Sequence, residues 1–202
     1  MGWTNSKPRT RPTPPAPSEN SLVQAISNRD RGWLNGLLES GANPNTPHRD
    51  TLPLHFAARR GEMDVVDLLC RHGANIDARD THGRTATAQT VIEGESKTIA
   101  ALLKRGADAD VADHDGNTAL HHAARLSKFD VMRQLILAGA AHDIRNHAGD
   151  TALHIAQRVG GYAADTFNAA AREYTDAKAQ KVAQLQRPLK LMQPLNIRPR
   201  RP

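Results

Sequence analysis

Ten histidines, one cysteine and 21 carboxylates are the side chains of this 202-residue chain able to bind a metal or move a proton. His48, His82, His114 and His147 fall in successive turn-like stretches, where stacking would set them in a column along the turn tips. Equivalent places on neighbouring helical units lie one packing distance apart, roughly 8–10 Å. A zinc ion needs nitrogen ligands about 2 Å away on every side, so such a column shares no metal and reads as solvated turn residues. Cys70 stands alone, which excludes an internal disulfide and a cysteine zinc cluster. No Ser/His/Asp order, glycine-rich phosphate loop or carboxylate pair around a pocket emerges elsewhere. The expectation is no catalytic residue, no cofactor and no metal.

The elements that carry these side chains repeat. Thr85, Thr118 and Thr151 stand 33 residues apart and open the phrases Thr85-Ala86-Thr87-Ala88, Thr118-Ala119-Leu120-His121 and Thr151-Ala152-Leu153-His154. A period of this size signals a solenoid. Leu54-His55 precedes Gly73-Ala74 by the same interval that separates Leu120-His121 from Gly139-Ala140, so four units share one ruler. Helical periodicity fills the gaps, as in Val65, Val66, Leu68, Leu69 and in Ile99, Leu102, Leu103. Gly41, Gly73, Gly106 and Gly139 fall just past a helix end, and Gly83, Gly116 and Gly149 mark a second, tight turn.

Asp113-His114-Asp115-Gly116-Asn117-Thr118-Ala119-Leu120-His121-His122-Ala123-Ala124 and Pro53-Leu54-His55-Phe56-Ala57-Ala58 resemble the ankyrin repeat over about residues 20 to 161. The resemblance implies an all-α repeat solenoid of stacked helix-turn-helix units joined by short hairpin-like turns. It also implies that His55, His121 and His154 bond loop backbone and brace adjacent repeats. Two departures stand out. Unit three has Thr87 and Ala88 where the family has Leu and His, and the turn containing His48-Arg49-Asp50-Thr51 lacks its glycine and is one residue short. Replacing a buried leucine by alanine costs about 2–5 kcal/mol, so unit three is predicted to be the softest interior repeat.

The expected organisation is a proline-rich basic arm over residues 1–19, the repeats over 20–161, a long capping helix over 162–186 and a basic tail over 187–202. Phe167, Ala171, Tyr174, Ala177, Val182 and Leu185 mark a weak apolar face on that helix, whose far half could alternatively serve self-association or a partner. Trp33 and Leu34 fall where Val65 and Val66 fall in unit two, which predicts that the indole covers the end layer. The formal net charge of +6 belongs to the ends: residues 1–18 and 185–202 hold eight of the 27 basic residues and none of the 21 acidic ones. The middle keeps 19 bases against 21 acids, so nucleic acid or membrane contact would run through the tails if at all. Two Arg-x-x-Pro-x-x-Pro spacings from Arg9 and Arg11 fit a polyproline ligand, and Gly2 with Ser6 fits a loose myristoylation pattern against which the bulky Trp3 counts. No signal peptide or 18-residue apolar span is read, and arginine over lysine with many alanines points to a GC-rich, bacterial genome.

In the resembled family, partners lie on the concave side, made of turn tips and the exposed ends of the first helices. Here those places carry Ser27-Asn28, Arg59-Arg60, Ile92-Glu93, Arg125-Leu126 and Arg158-Val159. Arg59, Arg125 and Arg158 recur in one column broken at Ile92, with a planar donor fork suited to carboxylates. The candidate partner-binding set is Arg59, Arg60, Ile92, Glu93, Arg125, Leu126 and Arg158, with His82, His114 and His147 at the tips. The reading is a monomeric, cytoplasmic, non-enzymatic protein that binds another protein and no small-molecule substrate. The alternative is a bacterial effector delivered into a host cell, because Lys190 and Arg198-x-Arg200-Arg201 resemble arginine-rich type IV secretion signals.

Overall fold

A computed structural model describes residues 21–186, and among them ten helices and no β-strand of two or more paired residues occur. The helices come in pairs: α1 Ser21–Ser27 with α2 Arg31–Glu39, α3 Pro53–Arg59 with α4 Met63–Arg71, α5 Ala86–Glu93 with α6 Ser96–Lys104, α7 Ala119–Arg125 with α8 Phe129–Leu137, and α9 Ala152–Val159 with α10 Tyr162–Gln186. Odd helices pack on odd and even on even, giving two layers that advance together, as the solenoid expectation requires. The first helices are too short to be stable alone. Capping and burial fix them: Thr85 and Thr151 hydroxyls accept the Ala88 and His154 N–H groups, and Pro53 occupies the first turn of α3.

Between pairs the chain makes a hairpin finger. Asp80, Asp113 and Asn146 each use one side-chain oxygen to accept two backbone N–H groups of their own finger, at 2.8–3.1 Å. Successive fingers are stitched by His114 N–H to His82 O at 3.1 Å and His147 N–H to Asp115 O at 3.0 Å. Gly83 is required on two counts. Its φ is +77°, and a Cβ there would stand 2.5 Å from the His114 ring. The shortened first finger is built differently. His48 and Thr51 exchange both backbone hydrogen bonds around Arg49 and Asp50, whose φ values of +46° and +65° give the two-residue turn that matches strand twist.

The buried apolar side chains form two clusters rather than one. Leu22 to Ala86 with Leu102 and Ala107 make the first, and Val91, Ile99 and Ala109 onward to Ala170 the second. The division runs through the α5/α6 unit, where three buried threonines replace repeat apolar residues. Thr87 stands in the register of Leu54 and Leu120, Thr90 in that of Ala57 and Ala123, and Thr98 in that of Val65 and Val131. Thr90 donates to Ala86 O at 2.6 Å, while the Thr87 and Thr98 hydroxyls, fully buried, have no hydrogen-bond partner among the described residues.

Helix α10 takes the even-layer place of the fifth unit and runs on. Ala163, Phe167 and Ala170 are buried and Tyr174 is half-buried against α8 and the Gly139 turn. Residues 175–183 are exposed throughout, so Ala177 and Val182 of the predicted apolar stripe meet no neighbour, and the Leu185 side chain lies outside the described residues. Trp33 is half-buried on the first cluster with Leu34 beneath it. The proline-rich arm, its groove-binding and acylation patterns and the basic tail lie outside the described residues.

Candidate functional site

The Leu-His histidines are anchors. His55 Nε2 lies 2.9 Å from Arg84 O and His121 Nε2 3.1 Å from Asp150 O, each reaching the next finger from a buried place. His154, in the last unit, is exposed and only its Nδ1 is engaged, by the Thr151 N–H at 3.3 Å. Ala88 cannot anchor the third finger, and a different pair does so from the following helix. His122 Nε2 meets Asp113 Oδ2 at 2.8 Å, both buried, while Arg125 Nη2 donates to His122 Nδ1 at 2.7 Å. Sequence periodicity does not reveal this pair, because Phe56, Gln89 and Ile155 hold the place of His122 in the other units. Burial holds the imidazoles of His55, His121 and His122 below the ordinary histidine range. For Asp113, burial pushes upward, but hydrogen bonds from the Asn117 backbone and His122 outweigh it and hold the carboxyl below its usual range.

The fingers and the ends of the odd helices enclose three clefts along one face. The first, of about 520 Å³, is lined by Gln24, Ser27, Arg49, Thr51, Phe56 and Arg59 among others. The second, of about 160 Å³, lies among His55, Asp80, His82 and Arg84. The third, of about 680 Å³, contains Arg125, His147, Asp150, Arg158 and Val159. The candidate arginines therefore face one side but do not share a pocket: Arg59 serves the first two clefts, and Arg125 and Arg158 the third. Between them Ile92 is half-buried and Glu93 accepts from Gln89 Nε2 at 3.0 Å.

Pairing separates the arginines further. Arg158 is bound to Asp150, Arg60 to Glu62 at 2.7 Å, and Arg125 to His122. Among the described residues Arg59 engages only the face of Phe56, 5.7 Å from its ring centroid. At the tips His82, His114 and His147 are exposed, but the stacked places are Thr81, His114 and His147, with His82 one residue further along its finger. His147 repeats over Gly116 what His114 does over Gly83. Leu126 and Val159 are exposed apolar residues in equivalent places, as are Phe129 and Tyr162. Among the described residues no group of three His, Cys, Asp or Glu side chains could hold a metal, and no helix is long and apolar enough to cross a membrane.

Comparison with known proteins agrees with this architecture. The family model described as ankyrin repeats (3 copies) matches residues 22–113 and 88–167. The chain is 54% identical over 50 residues to a cyclin-dependent kinase inhibitor 2A of Monodelphis domestica, covering 24% of this chain and 29% of that protein. It is 37% identical over 78 residues to the human 2-5A-dependent ribonuclease, covering 38% of this chain and 10% of that protein. It is 34% identical over 74 residues to the potassium channel AKT2/3 of Arabidopsis thaliana, covering 36% and 9%. The chain thus spans less than a third of the length of these relatives. With its 33-residue period, paired helices, stacked fingers and a family match spanning most of its length, the chain belongs to the ankyrin repeat family.

Proposed function

We propose that the chain is a non-enzymatic module that binds another protein along the face formed by the fingers and the odd helices. The observation that carries this reading is the run of three open clefts on that one face, where the candidate arginines, Glu93 and the tip histidines stand exposed. Ankyrin repeats generally serve as protein interaction modules. Stretches of this chain match proteins named as a nuclease, a kinase inhibitor and a channel, which speaks for a binding unit rather than a source of chemistry. Chemistry here would also need a water-excluding site, and the histidines that come closest to one are occupied in bracing fingers.

The test is site-specific photo-crosslinking in cells of origin, with a photoreactive amino acid at Gln89, Glu93 or Ala148 and, as the opposing arm, at Ala100 or Lys104 of the outer layer. A discrete protein adduct from the first set supports the reading. Adducts from the outer set alone overturn it. Cys70 is half-buried with its thiol pushed up by burial, which suits a monomer in a reducing cytoplasm. The effector reading rests on the basic tail sequence. It requires that deletion of residues 187–202 abolish translocation of a reporter fusion, and unchanged delivery would end it.

A further inference from the structure

The shortened first finger and α3 bring together two guanidinium groups that form no ion pair among the described residues. Most arginines of the described region have partners: Arg31 with Asp64, Arg60 with Glu62, Arg84 with Asp80, Arg105 with Asp67, Arg133 with Glu173 and Arg158 with Asp150. Arg79 and Arg145 donate to carbonyl groups of the fingers. Arg49 and Arg59 have neither carboxylate nor carbonyl among the described residues, and both line the 520 Å³ cleft. Among the described residues no carboxylate lines that cleft, while Arg59 also borders the second cleft, where Asp50 and Asp80 lie. In contrast, the third cleft places Asp115 and Asp150 beside Arg125 and Arg158.

Local features also set where the two arginines stand. Arg49 sits at φ +46° in the two-residue turn, a left-handed conformation that favours glycine and that the other fingers assign to Gly83, Gly116 and Gly149. Arg59 lies over Phe56, and Arg60 flanks the same ring at 5.5 Å while tied to Glu62. Phe56 therefore positions Arg59 from one side and leaves its other donors open. Gln24, Ser27 and Thr51 add an amide and two hydroxyls to the wall.

From this geometry we infer that the cleft between the first finger, α1 and α3 is a carboxylate-binding site for an acidic segment of a partner protein, with Arg49 and Arg59 as its paired anchors and Phe56 as the floor against which the segment packs. The inference rests on the concave-face reading and narrows it to one end of the array. Net charge argues against the chain's own ends as the occupant. Residues 1–19 carry Lys7, Arg9 and Arg11 against the single acid Glu19, and residues 187–202 carry five basic residues without an acid. Both are net positive, like the two guanidinium groups.

The experiment uses the full chain and fluorescein-labelled twelve-residue peptides in which two glutamates, spaced one to six residues apart, flank a leucine, with glutamine versions as controls. Fluorescence anisotropy should show saturable binding for at least one glutamate spacing and none for its glutamine version. Arg49→Glu and Arg59→Glu should each weaken it roughly ten-fold. Lys104→Glu, on the outer layer, should leave it unchanged, and a thermal melt should show each variant folded. Arg49→Gly, which relieves the backbone while removing the guanidinium, separates charge from turn geometry and should also lose binding. The proposal fails if no spacing binds, if Lys104→Glu weakens binding as much as Arg59→Glu, or if a single-stranded oligonucleotide of equal charge binds the same cleft more tightly. Each of these leaves concave-face crosslinking intact, so failure here and failure of the wider reading are distinguishable.

Discussion

At the scale of single residues, the hydroxyls of Thr87 and Thr98 are the least favourable placements in the fold. Each is fully buried without a partner, and each stands where another unit has an aliphatic side chain. Thr87→Val and Thr98→Val exchange a hydroxyl for a methyl of similar shape, and each should raise stability by about 1 kcal/mol or more, measured by urea unfolding. The buried histidines set the pH response. Because burial holds His55, His121 and His122 below the ordinary value near 6.5, the unfolded chain takes up protons first as pH falls. The histidine contribution should be flat above pH 7 and decline as pH drops below about 6.5 towards their folded values. Asp80 and Asp113, held low, keep their contribution until pH falls to the carboxylate range, so their loss comes later and in stronger acid. Melting temperature against pH checks this, and His122→Gln should shallow the slope between pH 6.5 and 5. His55 and His121 were legible from the Leu-His phrase. His122 was not, because Phe56, Gln89 and Ile155 hold its place in the other units, although its partner Asp113 keeps the place of Asp80 and Asn146.

At the scale of elements, the sequence marked every helix pair, since capping threonines, positive-φ glycines and apolar periodicity all point to the same boundaries. It was less informative where a helix outlasts its neighbours. The apolar stripe of α10 continues beyond Tyr174 in sequence, but α8 ends at Leu137 and offers nothing for Ala177 or Val182 to meet. Truncation after Tyr174 should therefore change unfolding free energy by less than about 0.5 kcal/mol. Phe167→Ala, which empties the contact that α10 makes with the last full unit and its edge-on approach to His142 at 6.3 Å, should cost about 3–5 kcal/mol. Chemical denaturation of the two variants compares them directly. The first finger was legible only as an anomaly: the missing residue was visible, whereas its effect on Arg49 depends on which turn closes a shorter loop.

At the scale of the whole molecule, a solenoid is stable as a sum of units and of the contacts between neighbours. The three buried threonines lower both kinds of contribution in one unit and leave the apolar interior in two pieces. Native-state hydrogen exchange should find residues 85–105 the least protected interior stretch, and unfolding should broaden into two steps that merge in the Thr87→Val/Thr98→Val double variant. If residues 85–105 are the best protected, the divided core has no energetic meaning. The same division governs how the array would carry load. Tension between the first and last units passes in series through every junction, so the weakest one sets the yield force. Pulled from its ends, the chain should open at α5 and α6 while both flanking blocks stay folded, lengthening by one repeat and acting as a mechanical fuse between whatever is held at either end.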